Sequence, residues 1–105
     1  MISGIDHVQV AAPCDCEEAP VLAARGGVWF AVGAQQLHIG VEEPFAPAAK
    51  AHPAFRLGSA EELDVLAHRL EAAGIDLHWD DNLPGVRRFY TADPFGNRLE
   101  LLAGR

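Results

Sequence analysis

Polar and apolar residues alternate through 5–11 (IDHVQVA), which predicts a strand. Residues 13–20 (PCDCEEAP) carry a proline at each end and read as a loop, and 21–25 (VLAAR) as a short strand. Residues 28–32 (VWFAV) and 37–42 (LHIGVE) flank Gly33-Ala34-Gln35-Gln36, which predicts a hairpin with its turn over those four residues. The proline-bearing stretch 43–51 is a linker. A strand follows at 52–57 (HPAFRL), with Pro53 at its exposed beginning. Ser59 and Glu62 form a capping box, and Leu63, Leu66, Ala67 and Leu70 then make one helical stripe. Gly74 is placed to end that helix in a left-handed cap. Residues 75–79 alternate again, 80–85 are turn-rich, and strands at 86–92 and 98–102 flank the turn Asp93-Pro94-Phe95-Gly96-Asn97. The second half therefore reads β-α-β-β-β.

The first half echoes it. HVQVA matches HPAFRL, which pairs His7 with His52, and L-H-I at 37–39 matches L-E-L at 99–101, which pairs His38 with Glu100. His7 to His38 spans 31 positions, whereas His52 to Glu100 spans 48. The deficit is about one helix with its connections, so 13–20 stands where the second half has its helix. Eight extended residues reach about 26 Å, enough for a taut crossing of a four-stranded sheet. One face of the first sheet is then expected to lack its helix.

A chain of 105 residues with half of them hydrophobic allows one domain with a modest core. Its modules are 1–45 and 50–105. The formal charge of −7 disfavours phosphate backbones and anionic membranes as partners. No apolar run is long enough to span a bilayer, and the N-terminus shows no leader pattern, so a cytoplasmic location is expected. Cys14 and Cys16 are too close for an unstrained disulfide and read as reduced thiols on a loop.

Alternation places the chemistry. His7 shares a strand face with Ile5 and Gln9, while Val8 and Val10 take the core side. His38 faces away from Leu37 and Ile39, Glu100 away from Leu99 and Leu101, and His52 shares a face with Ala54 and Arg56. Four repeat-equivalent positions thus offer three imidazoles and a carboxylate, donors suited to zinc, nickel, iron or manganese. Such a cation acts as a Lewis acid, polarising a carbonyl and stabilising an enediolate. Arg56 is a candidate for an anionic substrate group, Gln9 for a hydrogen bond to ligand, and Tyr90 and Trp29 for the wall of a site or for core packing. Glu42 and His68 are expected in solvent. His78, alternating with Leu77 and Trp79, is expected at the surface, away from the site.

Asp6-His7-Val8, His52-Pro-Ala-Phe-Arg-Leu and Asp93-Pro-Phe-Gly-Asn-Arg-Leu-Glu-Leu together resemble the vicinal oxygen chelate superfamily of glyoxalases, bleomycin-resistance proteins and extradiol dioxygenases. The resemblance runs over nearly the whole chain. It implies an α+β fold of paired βαβββ modules that form a cup-shaped mixed sheet around a divalent metal, here with the first-module helix missing. It implies His7, His52 and Glu100 as ligands, with His38 where glyoxalases often carry a glutamate. Relatives include dimers that exchange modules, so a homodimer is the expected assembly.

The expected function is a metal-dependent lyase or isomerase acting on a small oxygenated compound, with Glu100 shuttling a proton. Two alternatives stay open: a drug-sequestering protein of the bleomycin-resistance type, and an extradiol dioxygenase. A thiol transferase of the fosfomycin-resistance kind would need more basic residues than Arg56.

Overall fold

The structure is a computed structural model that describes residues 1–13 and 27–104. The predicted loop at 13–20 with its two cysteines (beyond Pro13), and the predicted strand at 21–25, lie outside the described residues. Two compact units divide the chain, Met1–Pro47 and Ala48 onward. Among the described residues no helix is long and apolar enough to cross a membrane.

The first unit contains β1 (His7–Ala12), β2 (Gly27–Val32) and β3 (Gln35–Val41) in the order β1-β3-β2. β1 runs parallel to β3, and β2 antiparallel to it. The turn is tighter than the sequence reading placed it. Val32 pairs with Gln35, so only Gly33 and Ala34 connect the strands, and Gln35 and Gln36 belong to β3. Gly33 supplies the positive φ of 59° that such short turns need. His7, Gln9, Trp29, His38 and Gly40 fall on one face, and Val8, Val28, Phe30, Leu37 and Ile39 on the other. The partition is as expected, but Val8 is not core. It is 37% exposed and Phe30 48%, because alternation sets which face a residue takes, not how well that face is covered.

The second unit contains β4 (Ala54–Arg56), α1 (Ala60–Ala72), β5 (His78–Asp80), β6 (Val86–Ala92) and β7 (Arg98–Gly104), with strands in the order β4-β7-β6-β5. β4 is parallel to β7, and the other neighbours are antiparallel. The α+β class expected from the sequence is the class observed. Ser59 caps α1, its Oγ accepting from the Glu62 amide at 3.1 Å. The Glu62 carboxylate reaches one residue further back than in a standard capping box and accepts from the Gly58 amide. At the other end Gly74, at φ 81°, allows Ile75 N to donate to Leu70 O and Gly74 N to Glu71 O, a Schellman closure.

Leu63 and Ala67 of α1 are buried against Phe89 of β6 and Leu101 and Ala103 of β7. Phe55, Leu57, Leu66, Leu70, Leu77 and Leu99 pack around them. The helix thus covers the odd-numbered face of β7, which leaves Glu100 on the opposite face. The sheet registers repeat between the halves. Gln9 lies opposite His38 and Ala54 opposite Glu100, with His7 and His52 each two residues earlier. Trp29 faces His38 as Tyr90 faces Glu100.

The turn from β6 to β7 is built on side chains. The Asp93 carboxylate accepts from the amides of Phe95 and Asn97 and from Asn97 Nδ2, while Asn97 Oδ1 accepts from the Ala48 amide. Asn97 is only 2% exposed. Asn97→Ala is expected to cost about 1–3 kcal/mol, since buried partners lose their hydrogen bonds. The shift in urea midpoint at unchanged slope measures it; no shift would mean the turn is held by backbone alone.

Candidate functional site

The second sheet presents its polar face through β7, β6 and β5. Alternation and register place Arg98 and Glu100, Arg88 and Tyr90, and His78 and Asp80 on this one side. His52 precedes β4, and its Nε2 lies 2.9 Å from Glu100 Oε1. Its other ring nitrogen, Nδ1, lies 2.7 Å from the carbonyl oxygen of Lys50. A carbonyl only accepts, so Nδ1 carries the proton and donates. Neutral imidazole would then point a lone pair at a carboxylate oxygen. The contact is satisfied by a second proton on the ring or by a cation between the two atoms.

A metal ion fits that description. Metal–ligand bonds of about 2.0–2.2 Å put neighbouring ligand atoms roughly 3 Å apart on an octahedral ion and about 3.4 Å apart on tetrahedral zinc. The hydrogen bond to Lys50 also matches the outer contact that usually orients a ligating histidine. On the carboxylate's other side, Arg88 Nη1 donates to Glu100 Oε2 at 3.3 Å and Arg88 Nη2 to Asp80 Oδ2 at 3.4 Å. Arg88 Nε is buried with no hydrogen-bond partner among the described residues. Tyr90 lies opposite Glu100 in the β6–β7 pairing, and its hydroxyl helps lower the pKa of that carboxyl.

Glu100 is 5% exposed. Burial alone raises its carboxyl pKa, but the hydrogen bond from His52, the charge and hydrogen bond of Arg88 and the Tyr90 hydroxyl outweigh it, leaving the group below its ordinary value. Tyr90 is raised, by burial first and by the adjacent Glu100 charge, so it stays a neutral donor. A depressed carboxyl stabilises the fold at pH above its unfolded value and loses that contribution as pH falls through the folded one. Metal-free protein is therefore expected to lose stability below about pH 4.5, and Glu100→Gln to flatten that acid limb. Thermal midpoints across pH 3 to 7, on the order of one unit apart, check it; identical acid limbs would refute the assignment.

The first half holds His7, Gln9 and His38 on one sheet face. Trp29 stacks on His38 with ring centroids 4.1 Å apart, and His7 meets the same indole edge-on at 4.9 Å. His7 Nδ1 lies 2.9 Å from Asp6 Oδ2, which turns its Nε2 away from that carboxylate. The Gln9 amide lies over Gly40, where any Cβ would collide with it. Trp29 is half-exposed and packs on the two imidazoles, so it is not a core residue. Among the described residues, no group of three or more His, Cys, Asp or Glu side chains is placed to hold one metal ion. Each half offers a pair at most.

Two placements differ from expectation, and two basic residues were passed over. His78 was expected away from the site, yet β5 pairs with β6 so that His78 lies opposite Tyr90, on the face that carries Glu100. Arg56 is on its expected strand, but its Nη1 donates to the Gly104 carbonyl at 2.9 Å rather than standing ready for a substrate. Arg88 and Arg98 belong to the polar face and were not singled out. The signal was present: Arg98 is two residues from Glu100, and a five-residue turn at 93–97 brings Tyr90 opposite Glu100, which settles the face of Arg88.

No family model matches the sequence, and a search of curated proteins returns no match. Solved structures do match. A glyoxalase family protein from Bacillus anthracis is 43% identical with a TM-score of 0.85, over 100% of this chain and 98% of that one. Lactoylglutathione lyase from Agrobacterium tumefaciens is 23% identical with a TM-score of 0.74, over 99% and 96%. The fosfomycin resistance protein FosX from Listeria monocytogenes, complexed with Mn(II) and sulfate, is 21% identical with a TM-score of 0.73, over 100% and 93%. The last two likenesses speak for fold alone. The first, nearly complete in both chains, agrees with the motifs and with the repeated registers: the chain belongs to the glyoxalase family of the vicinal oxygen chelate superfamily.

Proposed function

We propose that the chain is a metal-dependent lyase or isomerase that acts on a small compound carrying neighbouring oxygens. The observation that carries this reading is the facing of His52 Nε2 and Glu100 Oε1 at 2.9 Å, with His52 Nδ1 already committed to a carbonyl. A divalent cation held by both atoms would satisfy that arrangement, as a second proton on the ring does in its absence. The proposal assigns the second-half donors to His52 and Glu100, and takes His7 and His38 as the first-half donors that the family pattern implies. Zinc, nickel, iron and manganese all suit imidazole and carboxylate ligands. FosX, a more distant relative, was solved with Mn(II), which is in keeping with a metal-using superfamily.

When bound, a divalent metal would supply Lewis-acid polarisation of substrate oxygen. The side chains account for the rest. Glu100 accepts and returns the substrate proton; the hydrogen bond from His52 and the charge of Arg88 lower its pKa and so make it a weaker base than a free carboxylate. Gln9 and Tyr90 are the assigned substrate contacts, one on each half. Arg56 is a weaker assignment now that its guanidinium is engaged with Gly104.

Elemental analysis of untagged protein, with calorimetric titration of Zn(II), Ni(II), Fe(II) and Mn(II) into the chelated form, tests the reading. Stoichiometric binding that falls in His52→Ala, and in His7→Ala for the first-half donors, is the expected result. Protein that takes up none of the four metals would leave a sequestering module of the drug-binding kind.

A further inference from the structure

Arg98 opens β7, two residues before Glu100 and on the same face. Its guanidinium lies 4.1 Å from the centroid of the Tyr90 ring. The neighbouring arginines are spent on carboxylates, Arg87 on Asp64 and Arg88 on Asp80 and Glu100. Arg98 makes no ion pair among the described residues. It borders a cavity of about 520 Å³ within the second half, together with Tyr90, His78, Ile75, Ala49 and Asp76. That volume is in the range of small-molecule sites, roughly 300–1,000 Å³.

The lining selects a ligand type. An arginine with open N–H groups is a fork for a carboxylate or phosphate. Contact with the Tyr90 ring holds the guanidinium in place beforehand, so less side-chain freedom is lost on binding. Ile75 and Ala49 give the cavity an apolar side. The Thr91 hydroxyl adds no donor, because it is bonded to the Asp76 carbonyl at 2.9 Å. Among the described residues Arg98 is the one arginine that lines the cavity, so it matches a single negative charge on the ligand. We infer that this cavity binds a singly charged organic carboxylate with an apolar body, the carboxylate on Arg98 and the body against Ile75. The inference deepens the proposed function, since Tyr90 borders both the cavity and Glu100, and it names the substrate class as anionic.

Benzoate is the probe, titrated by calorimetry and NMR into chelated, metal-free protein. Benzamide serves as the uncharged mimic and inorganic phosphate as the anion without an apolar body. Benzoate is expected to bind at least about tenfold more tightly than either, and about tenfold more weakly to Arg98→Met, the loss of one charge-assisted contact. Binding should shift the His78 ring and Ile75 methyl resonances of the unaltered protein. Equal affinity for benzamide, phosphate as strong as benzoate, unchanged benzoate affinity in Arg98→Met, or still His78 and Ile75 resonances would each overturn the inference. Because the readout is binding without metal, it can fail while the metal reading stands, and metal binding can fail while this site holds.

Discussion

Glu100→Ala is expected to lower metal affinity on the order of 100-fold or more, to the point where purified protein contains almost none. The bound is set by analogy: losing a partner that merely orients a ligand already costs about 10–100-fold. Here the donor itself is lost, and His52 Nε2 loses the atom it faces at 2.9 Å. Arg88 would lose its Glu100 contact as well, and its Nε has no hydrogen-bond partner among the described residues to begin with. Glu100→Gln separates charge from shape. It keeps the volume and one oxygen but gives up the anion that attracts a cation. It should therefore still fold, less stably than the parent at neutral pH, and lose most metal affinity. Elemental analysis and calorimetry read both variants. Stoichiometric metal in Glu100→Ala would remove Glu100 from the site and with it the proposed proton shuttle.

Phe89→Ala should have the largest effect on stability. The ring is fully buried and lies where α1 meets the sheet, beside Leu63, Ala67 and Leu101. Truncating a buried phenylalanine costs about 3–5 kcal/mol, part transfer free energy and part cavity. Whole domains have only about 5–15 kcal/mol to lose, and a domain this small buries less of its surface than a large one. Much of the variant is expected to be unfolded at physiological temperature. Trp79 contacts Phe89 with ring centroids 5.1 Å apart, so tryptophan fluorescence in a urea titration, in a Trp29→Phe background that leaves Trp79 as the sole emitter, reports the change locally. A midpoint shift worth less than about 1 kcal/mol would mean that this cluster is not the core of the second half.

Much of the second half could be read directly. The capping box at Ser59, the stripe of Leu63, Leu66, Ala67 and Leu70, and the closing Gly74 are local signals on one helix, and each is where the pattern put it. Strand 86–92 matches β6 at both ends because turn residues bound it on either side. The hairpin of the first half was less legible. Gln35 and Gln36 look like turn residues by polarity, yet they pair with Val32 and Ala31, since a glycine of positive φ closes the turn in two residues. Val8 looks like core by type, and its exposure follows from what packs on that sheet face, which alternation does not encode.

The same limit applied to the site. Alternation alone was enough to turn His7, His38 and Glu100 away from their apolar neighbours, because side-chain direction along a strand repeats every two residues, whereas His52 lies before the strand 54–56 that was expected to begin with it. It was not enough to show that Arg98 would lie on the Tyr90 ring, or that His78 would join the face it was thought to avoid. Those facts depend on β5 pairing with β6, and β6 with β7, in one register each.

Local order along the chain was thus sufficient for the kinds of element, their caps and which side chains of a strand share a face, since these depend on bonds and contacts within a few residues. Which strands became neighbours was a tertiary outcome. His52 and Glu100 are 48 positions apart and come within 2.9 Å only because β4 lies parallel beside β7 under the helix that buries their apolar backs. That pairing is decided by the packing of residues remote in sequence, a free energy no short window of the chain contains.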